Sequence, residues 1–195
     1  MKQVESVKAT SSTKKIPRIK IPDVNDLDQA IGDKGEIVSC LIKKTECLSN
    51  ISDIDKKIEL KKIIKRGKTV HYILSCMPEI REILRKNGNE VRLEWKKYQI
   101  EDSYYVTRCY HCQGFGHVAE KCYHKNKEYT CNLCAERYTD EHENCRAFED
   151  ENYACCTNCK KENKKDTWHY ATDPLCPVFQ KQIEWLKNIT DDGSQ

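Results

Sequence analysis

Polar and apolar positions first fall into register at Ile16 to Pro22, I-P-R-I-K-I-P, where Ile19 and Ile21 alternate with Arg18 and Lys20. A period of two predicts a short half-buried strand, which the flanking prolines confine. Asp26 stands as an N-cap for a helical segment from Leu27 to Ile31 that Gly32 and Gly35 end. Ile37, Leu41 and Ile42 then recur at helical spacing, while Thr45 to Asp53 reads as a loop. Lys57 to Lys65, K-I-E-L-K-K-I-I-K, fits a strand or an amphipathic helix. A turn at Gly67 and the β-branched, aromatic run Thr69 to Cys76 immediately after it favour the strand. Pro78 opens a helix carrying Ile80, Ile83 and Leu84, and Asn87-Gly88 stops it. Val91, Leu93 and Trp95 alternate with Arg92, Glu94 and Lys96 in a last strand running on toward Tyr105. Strand, helix, strand, strand, helix, strand across residues 16–106 predicts an α+β domain, one sheet with two helices on one face, of the ferredoxin-like, RNA-recognition-like kind. Residues 1–15 and 190–195 show no apolar period and read as a disordered leader and a loose tail.

After residue 106 the periodicity gives way to cysteines. Cys109, Cys112, His117 and Cys122 are spaced C-x2-C-x4-H-x4-C, which lets three thiolates and an imidazole close a tetrahedral zinc site over residues 107–125. Gly114 and Gly116 lie where so tight a turn needs positive φ. Tyr110 and Phe115 have little chain around them and are expected as exposed rings on which an unpaired base can stack. Within 129–147, Cys131, Cys134, His142 and Cys145 repeat the ligand order with longer loops and the acids Glu136, Asp140, Glu141 and Glu143. Those charges repel phosphate, so this second knuckle is expected to be structural or protein-facing. Within 154–189 come Cys156, Cys159, His169 and Cys176, with Cys155 as the alternative first ligand. The C-x2-C pairing favours Cys156. Lys160, Lys161, Lys164 and Lys165 lie in this third loop beside Trp168 and Tyr170, a mixture suited to single strands. From Pro177 to Ile189, Phe179, Ile183 and Leu186 recur at helical intervals, which predicts a helix packed on the third site. Cys40, Cys47 and Cys76 have no paired cysteine and read as small buried hydrophobes, and His71, His111 and His124 lack ligand spacing.

Composition narrows the classes. The chain is 33% charged and 38% hydrophobic with mean hydropathy −0.82, has no apolar run of membrane-spanning length, and shows no export segment after Met1. The expectation is an intracellular, reducing setting, cytoplasmic or nuclear, in which nine of the thirteen cysteines, with three histidines, hold three zinc ions and the cysteines do not pair as disulfides. Residues 1–100 carry 22 basic against 14 acidic side chains, a balance of +8, and residues 101–195 carry 12 against 17, a balance of −5. Each Cys3His zinc site would lower the second balance by about one further charge. Nucleic-acid binding must therefore come from local patches: Arg108, Lys121, Lys125 and Lys127 for phosphates, Tyr110, Phe115 and Trp168 for bases, and Lys160 and Lys161 in the third loop. The run Lys56, Lys57, Lys61, Lys62, Lys65, Arg66 and Lys68 is a second basic stretch, either a phosphate contact or a solvated face. Ile16 to Pro22 has no aromatic residue, and neighbouring His71 and Tyr72 can place at most one ring on the open face of the sheet. The upstream domain is thus as well suited to scaffolding as to base contact.

R-C-Y-H-C-Q-G-F-G-H-V-A-E-K-C resembles the first knuckle of the Gag-like proteins encoded by the first open reading frame of insect non-LTR retrotransposons, the jockey and X-element kind. C-T-N-C with the later D-P-L-C-P-V-F is similar to their last knuckle, and I-P-R-I-K-I-P, T-V-H-Y-I-L and V-R-L-E-W are similar to their RNA-recognition-like domain. The resemblance covers roughly Ile16 to Leu186. It implies a protein that binds single-stranded RNA or DNA, self-associates in ribonucleoprotein particles and acts as a strand-annealing chaperone; separately, four protein ligands at every proposed site, with no nucleophile or acid-base pair placed at one, argue against an enzyme. It implies ligand roles for Cys109, Cys112, His117 and Cys122 and for Cys156, Cys159, His169 and Cys176. The family's long low-complexity leader is not seen here, which suits a shortened or host-adopted copy. The competing class is a zinc-stabilised protein-interaction module, a RING-like adaptor in which ligand pairs interleave around two ions.

Overall fold

The computed structural model describes residues 14–25, 34–139 and 142–193. The predicted Asp26 cap, the segment Leu27 to Ile31, Asp140 and Glu141 lie outside the described residues. The chain divides into two compact units, residues 1–103 with 189–195, and residues 104–188.

In the first unit, strand β1 (Arg18–Asn25) is followed by helices α1 (Lys34–Lys44), α2 (Glu46–Ser49) and α3 (Ile54–Lys57). Strands β2 (Ile58–Arg66) and β3 (Thr69–Cys76), helix α4 (Pro78–Lys86), strands β4 (Glu90–Leu93) and β5 (Lys96–Gln99), and the two-residue strand β6 (Glu101–Asp102) complete it. β2, β3, β1 and β6 form one antiparallel sheet in that spatial order. Gly35 does not end a helix; it sits in the first turn of α1. The loop expected from Thr45 to Asp53 contains the single turn α2, whose Leu48 is fully buried.

The alternation from Val91 to Lys96 does not describe one strand. Glu94 adopts φ +49°, the chain reverses there, and β4 pairs back on β5 with Leu93 opposite Lys96. Trp95 is left at the hairpin tip, 90% exposed with Lys44 above its ring at 4.9 Å. The edge position of the main sheet falls instead to β6, tied down by buried Arg81, whose Nε donates to Asp102 Oδ1 at 2.7 Å and Nη1 to Asn89 Oδ1 at 2.7 Å.

The core of this unit is apolar in the ordinary way. Ile19, Ile21 and Val24 of β1, Val70, Tyr72, Leu74 and Cys76 of β3, Leu41 of α1 and Ile80 and Leu84 of α4 are all buried in one cluster. Burial holds the Cys76 thiol up at about 12, so it behaves as a small hydrophobe. Tyr72 therefore points into the core. His71, on the opposite face, is also buried and accepts the Asp23 amide on Nδ1 at 3.0 Å. Neither ring of β3 is free to stack on a base. In the basic run, Lys56, Lys57 and Lys61 pair with Asp53, Glu79 and Glu59. Residues 190–193, expected loose, are engaged: Lys15 bridges Thr190, and Arg85 Nη2 meets Asp192 Oδ2 at 3.0 Å.

The second unit has little regular structure. It holds a two-stranded ribbon of β7 (Tyr129–Thr130) and β8 (Arg137–Tyr138), helices α5 (Arg146–Glu149) and α6 (Thr157–Lys161), and most of α7 (Pro177–Ile189). No helix of the described residues is long and apolar enough to cross a membrane.

Candidate metal centres and the surface around them

Twelve side chains gather in three groups, each closed by one consecutive segment: Cys109, Cys112, His117 and Cys122; Cys131, Cys134, His142 and Cys145; Cys156, Cys159, His169 and Cys176. Within each group the four ligand atoms lie within 4.8 Å of one another. Measured edges include Cys112 Sγ to His117 Nε2 at 3.4 Å, Cys131 Sγ to Cys145 Sγ at 3.8 Å, Cys134 Sγ to His142 Nε2 at 3.2 Å and Cys156 Sγ to Cys176 Sγ at 3.7 Å. A tetrahedral ion with metal–sulfur bonds near 2.3 Å sets neighbouring sulfurs about 3.8 Å apart. The donor sets thus fit one zinc-sized ion each, and four protein ligands leave no open coordination position. Interleaved ligand pairs are not what these segments form. Cys156 is fully buried in the third group, while Cys155 stays outside it, its amide bonded to Leu133 O at 2.8 Å.

Local backbone sets the ligands. In the first segment Gly116 takes φ +88°, as so sharp a turn requires. Gly114 does not need a positive φ; a Cβ there would sit 3.3 Å from Cys112 Sγ and 3.5 Å from His117 Cε1, so glycine leaves room for the ligands. Phe115 O lies 3.3 Å from His117 Nδ1 and orients Nε2 toward the cysteines. The Leu133 and His124 amides donate to Cys131 Sγ and Cys122 Sγ.

Gathering thiols without a cation is unfavourable for their charged form. Desolvation first, with the neighbouring cysteines adding to it, pushes Cys112 up to about 11 and Cys134 and Cys159 to about 12. Cys109 moves the other way: desolvation raises it, but the Cys112 and His111 amides and neighbouring thiols outweigh that and lower it. A divalent ion supplies the charge that keeps all three sulfurs as thiolates.

The three groups are not separate beads. Thr130 N donates to His111 O at 2.8 Å, and the Gln113 amide donates to Thr130 O at 3.0 Å, joining the first segment to the second. Asn158 Nδ2 donates to Gln113 O at 2.9 Å and Lys161 Nζ to Cys112 O at 3.3 Å, joining the third to the first. Ala171 N donates to Asn132 O and Tyr170 Oη to Ala147 O, joining the third to the second. His111, buried, packs at a tilt on Tyr129 with ring centroids 4.3 Å apart, and the rings continue, stacked, through Tyr138 to His142 of the second group.

The predicted contact residues separate accordingly. Tyr110 is 72% exposed, with the Arg108 guanidinium 5.6 Å from its ring, and Trp168 is 74% exposed. Phe115 is not an exposed face: it is half-buried and packs on Phe179 at 5.7 Å, against the third group. Lys121 and Lys125 are exposed. Lys127, Lys160 and Lys161 line one cavity together with Arg137, which the sequence pattern did not single out, and His124, which it set aside for lacking ligand spacing. Partial desolvation and then the charges of Lys127, Lys161 and Arg137 hold the His124 imidazole below its ordinary value. Around the second group, Glu136 lies 3.9 Å from His142 Nε2 and Phe148 is 81% exposed.

No protein family, curated protein or solved structure compared with the chain matches it.

Proposed function

We propose that the second unit binds three zinc ions as an array of knuckles and, so held, grips single-stranded RNA or DNA. The observation that carries this reading is Tyr110, a ring 72% exposed on the loop between Cys109 and Cys112 with a guanidinium beside it. An exposed ring fixed by metal and flanked by a cation is sequence-tolerant in stacking, because every base has a π-face. The four-ligand closure of each group favours a binding role over catalysis. The upstream sheet order, with a helix after β1 and another after β3, supports a ferredoxin-like domain. With Tyr72 in its core it serves as scaffold or assembly surface, not as a base platform. Together these parts suit a retrotransposon Gag-like protein that packages its RNA by self-association and anneals strands.

The test is a titration of a labelled single strand at fixed salt with the zinc-loaded chain. Tyr110→Ala is expected to weaken binding by about 1–3 kcal/mol while three ions per chain are retained. A dissociation constant that does not change removes the stacking role. A second, protein-facing role for the middle knuckle is favoured by the exposed Phe148 beside a shallow cavity lined by Leu133, Tyr138 and Glu143.

A further inference from the structure

A cavity of about 360 Å³ opens among the three metal-ligand segments. Lys127 comes just after the first, Arg137 lies on β8 of the second, and Lys160 and Lys161 lie on α6 of the third; His124 and Thr130 also line it. Among its lining residues Glu128 is the only acid. No carboxylate of the described residues pairs with Lys127, Arg137, Lys160 or Lys161. Residues 101–195 carry a balance of −5, so this concentration of positive charge runs against its surroundings and is not a sample of a generally basic surface. It is also held in place. Lys161 is tethered to Cys112 O, Asn158 of the same helix to Gln113 O, and the β7–β8 ribbon to His111 and Gln113.

We propose that this cavity is a phosphodiester site for one strand of RNA or DNA, assembled jointly by all three metal clusters. The proposal rests on the strand-binding function proposed for the second unit and names where the phosphates lie. Bases on Tyr110 carry the stacking part, and Lys127, Arg137 and Lys160 carry the salt-sensitive part. Because the lining comes from all three segments, with Cys112 from the first, Arg137 from the second and Lys160 from the third, the site exists only when all three are folded.

The experiment compares the zinc-loaded full chain with Arg137→Ala, Lys160→Ala and the double variant, titrating a labelled single strand across a series of salt concentrations. Each lost phosphate contact is expected to reduce the slope of log affinity against log salt by about 0.7, and the double variant by about 1.4. Tyr110→Ala should weaken binding with the slope kept. A double variant with unchanged slope, in a chain where Tyr110→Ala still weakens binding, overturns the cavity and leaves the strand-binding reading standing. Absence of any strand binding by the zinc-loaded wild type overturns that reading itself. Loss of zinc from the double variant would mean that these cations serve to neutralise the thiolate clusters. Displacement of the strand by inorganic phosphate at constant ionic strength would mark a small-anion site, and sedimentation of wild type but not double variant with phosphatidylserine vesicles would mark a membrane surface. Any of these three results overturns the proposal.

Discussion

Removal of metal is expected to unfold the second unit and leave the first intact. The contrast comes from what each unit buries. Among the described residues, the first unit holds nineteen apolar side chains in one cluster. In the second, the buried apolar residues other than cysteine are Ala147, Ala154, Ala171, Val178 and Leu186. Val178 and Leu186 supply about 3–6 kcal/mol between them, whereas each structural zinc supplies about 10–16 kcal/mol. Bound ions are therefore expected to dominate the stability of the second unit and to leave that of the first unchanged.

Hydrogen exchange read peptide by peptide checks this on the full chain. After complete chelation under reducing conditions, amides of 129–138 and 157–161 should lose their protection, while those of β2 and β3 keep theirs. Loss of even about 4 kcal/mol accelerates exchange about a thousandfold, so the effect is not marginal. If elemental analysis finds no metal and the second unit still exchanges slowly, the metal-dependent account of its fold is wrong.

Two further expectations separate ligands and struts from their neighbours. Cys156→Ser should reduce bound zinc from three ions per chain to two, and Cys155→Ser should leave all three, because only Cys156 lies in a ligand group; equal losses in elemental analysis would contradict the assignment. Asp102→Ala leaves the buried Arg81 guanidinium with Asn89 alone. It should cost about 2 kcal/mol in urea unfolding of the first unit, toward the low side because Asp102 is partly exposed, and an unchanged midpoint would show that β6 is held by other means.

What could be read from the sequence was what neighbouring residues decide. Thr69 to Cys76 and Pro78 to Lys86 fold as their patterns predict, because β-branched alternation and a proline at N1 act over one turn or one strand. The ligand groups were legible for the same reason, since each segment closes around a point by itself. Alternation failed at Glu94, where the period of two continues through a reversal that no glycine or asparagine marks. It could not separate one strand from a hairpin.

The joints between the ligand segments were illegible for a different reason. Gln113 occupied a spacer position by motif logic, yet it is buried, takes φ +59°, bonds Thr130 and receives Asn158. Spacing within a zinc motif constrains only the ring that each segment forms about its ion, and says nothing about which spacer meets which. Arg137 went unnoticed and His124 was set aside for lacking ligand spacing on that account: their common cavity is made by Gln113, Asn158 and Lys161 bringing three rings together. The residues grouped as candidate metal ligands and the residues that bring the cations together are therefore written at two different ranges of the chain, and only the short range is visible without coordinates.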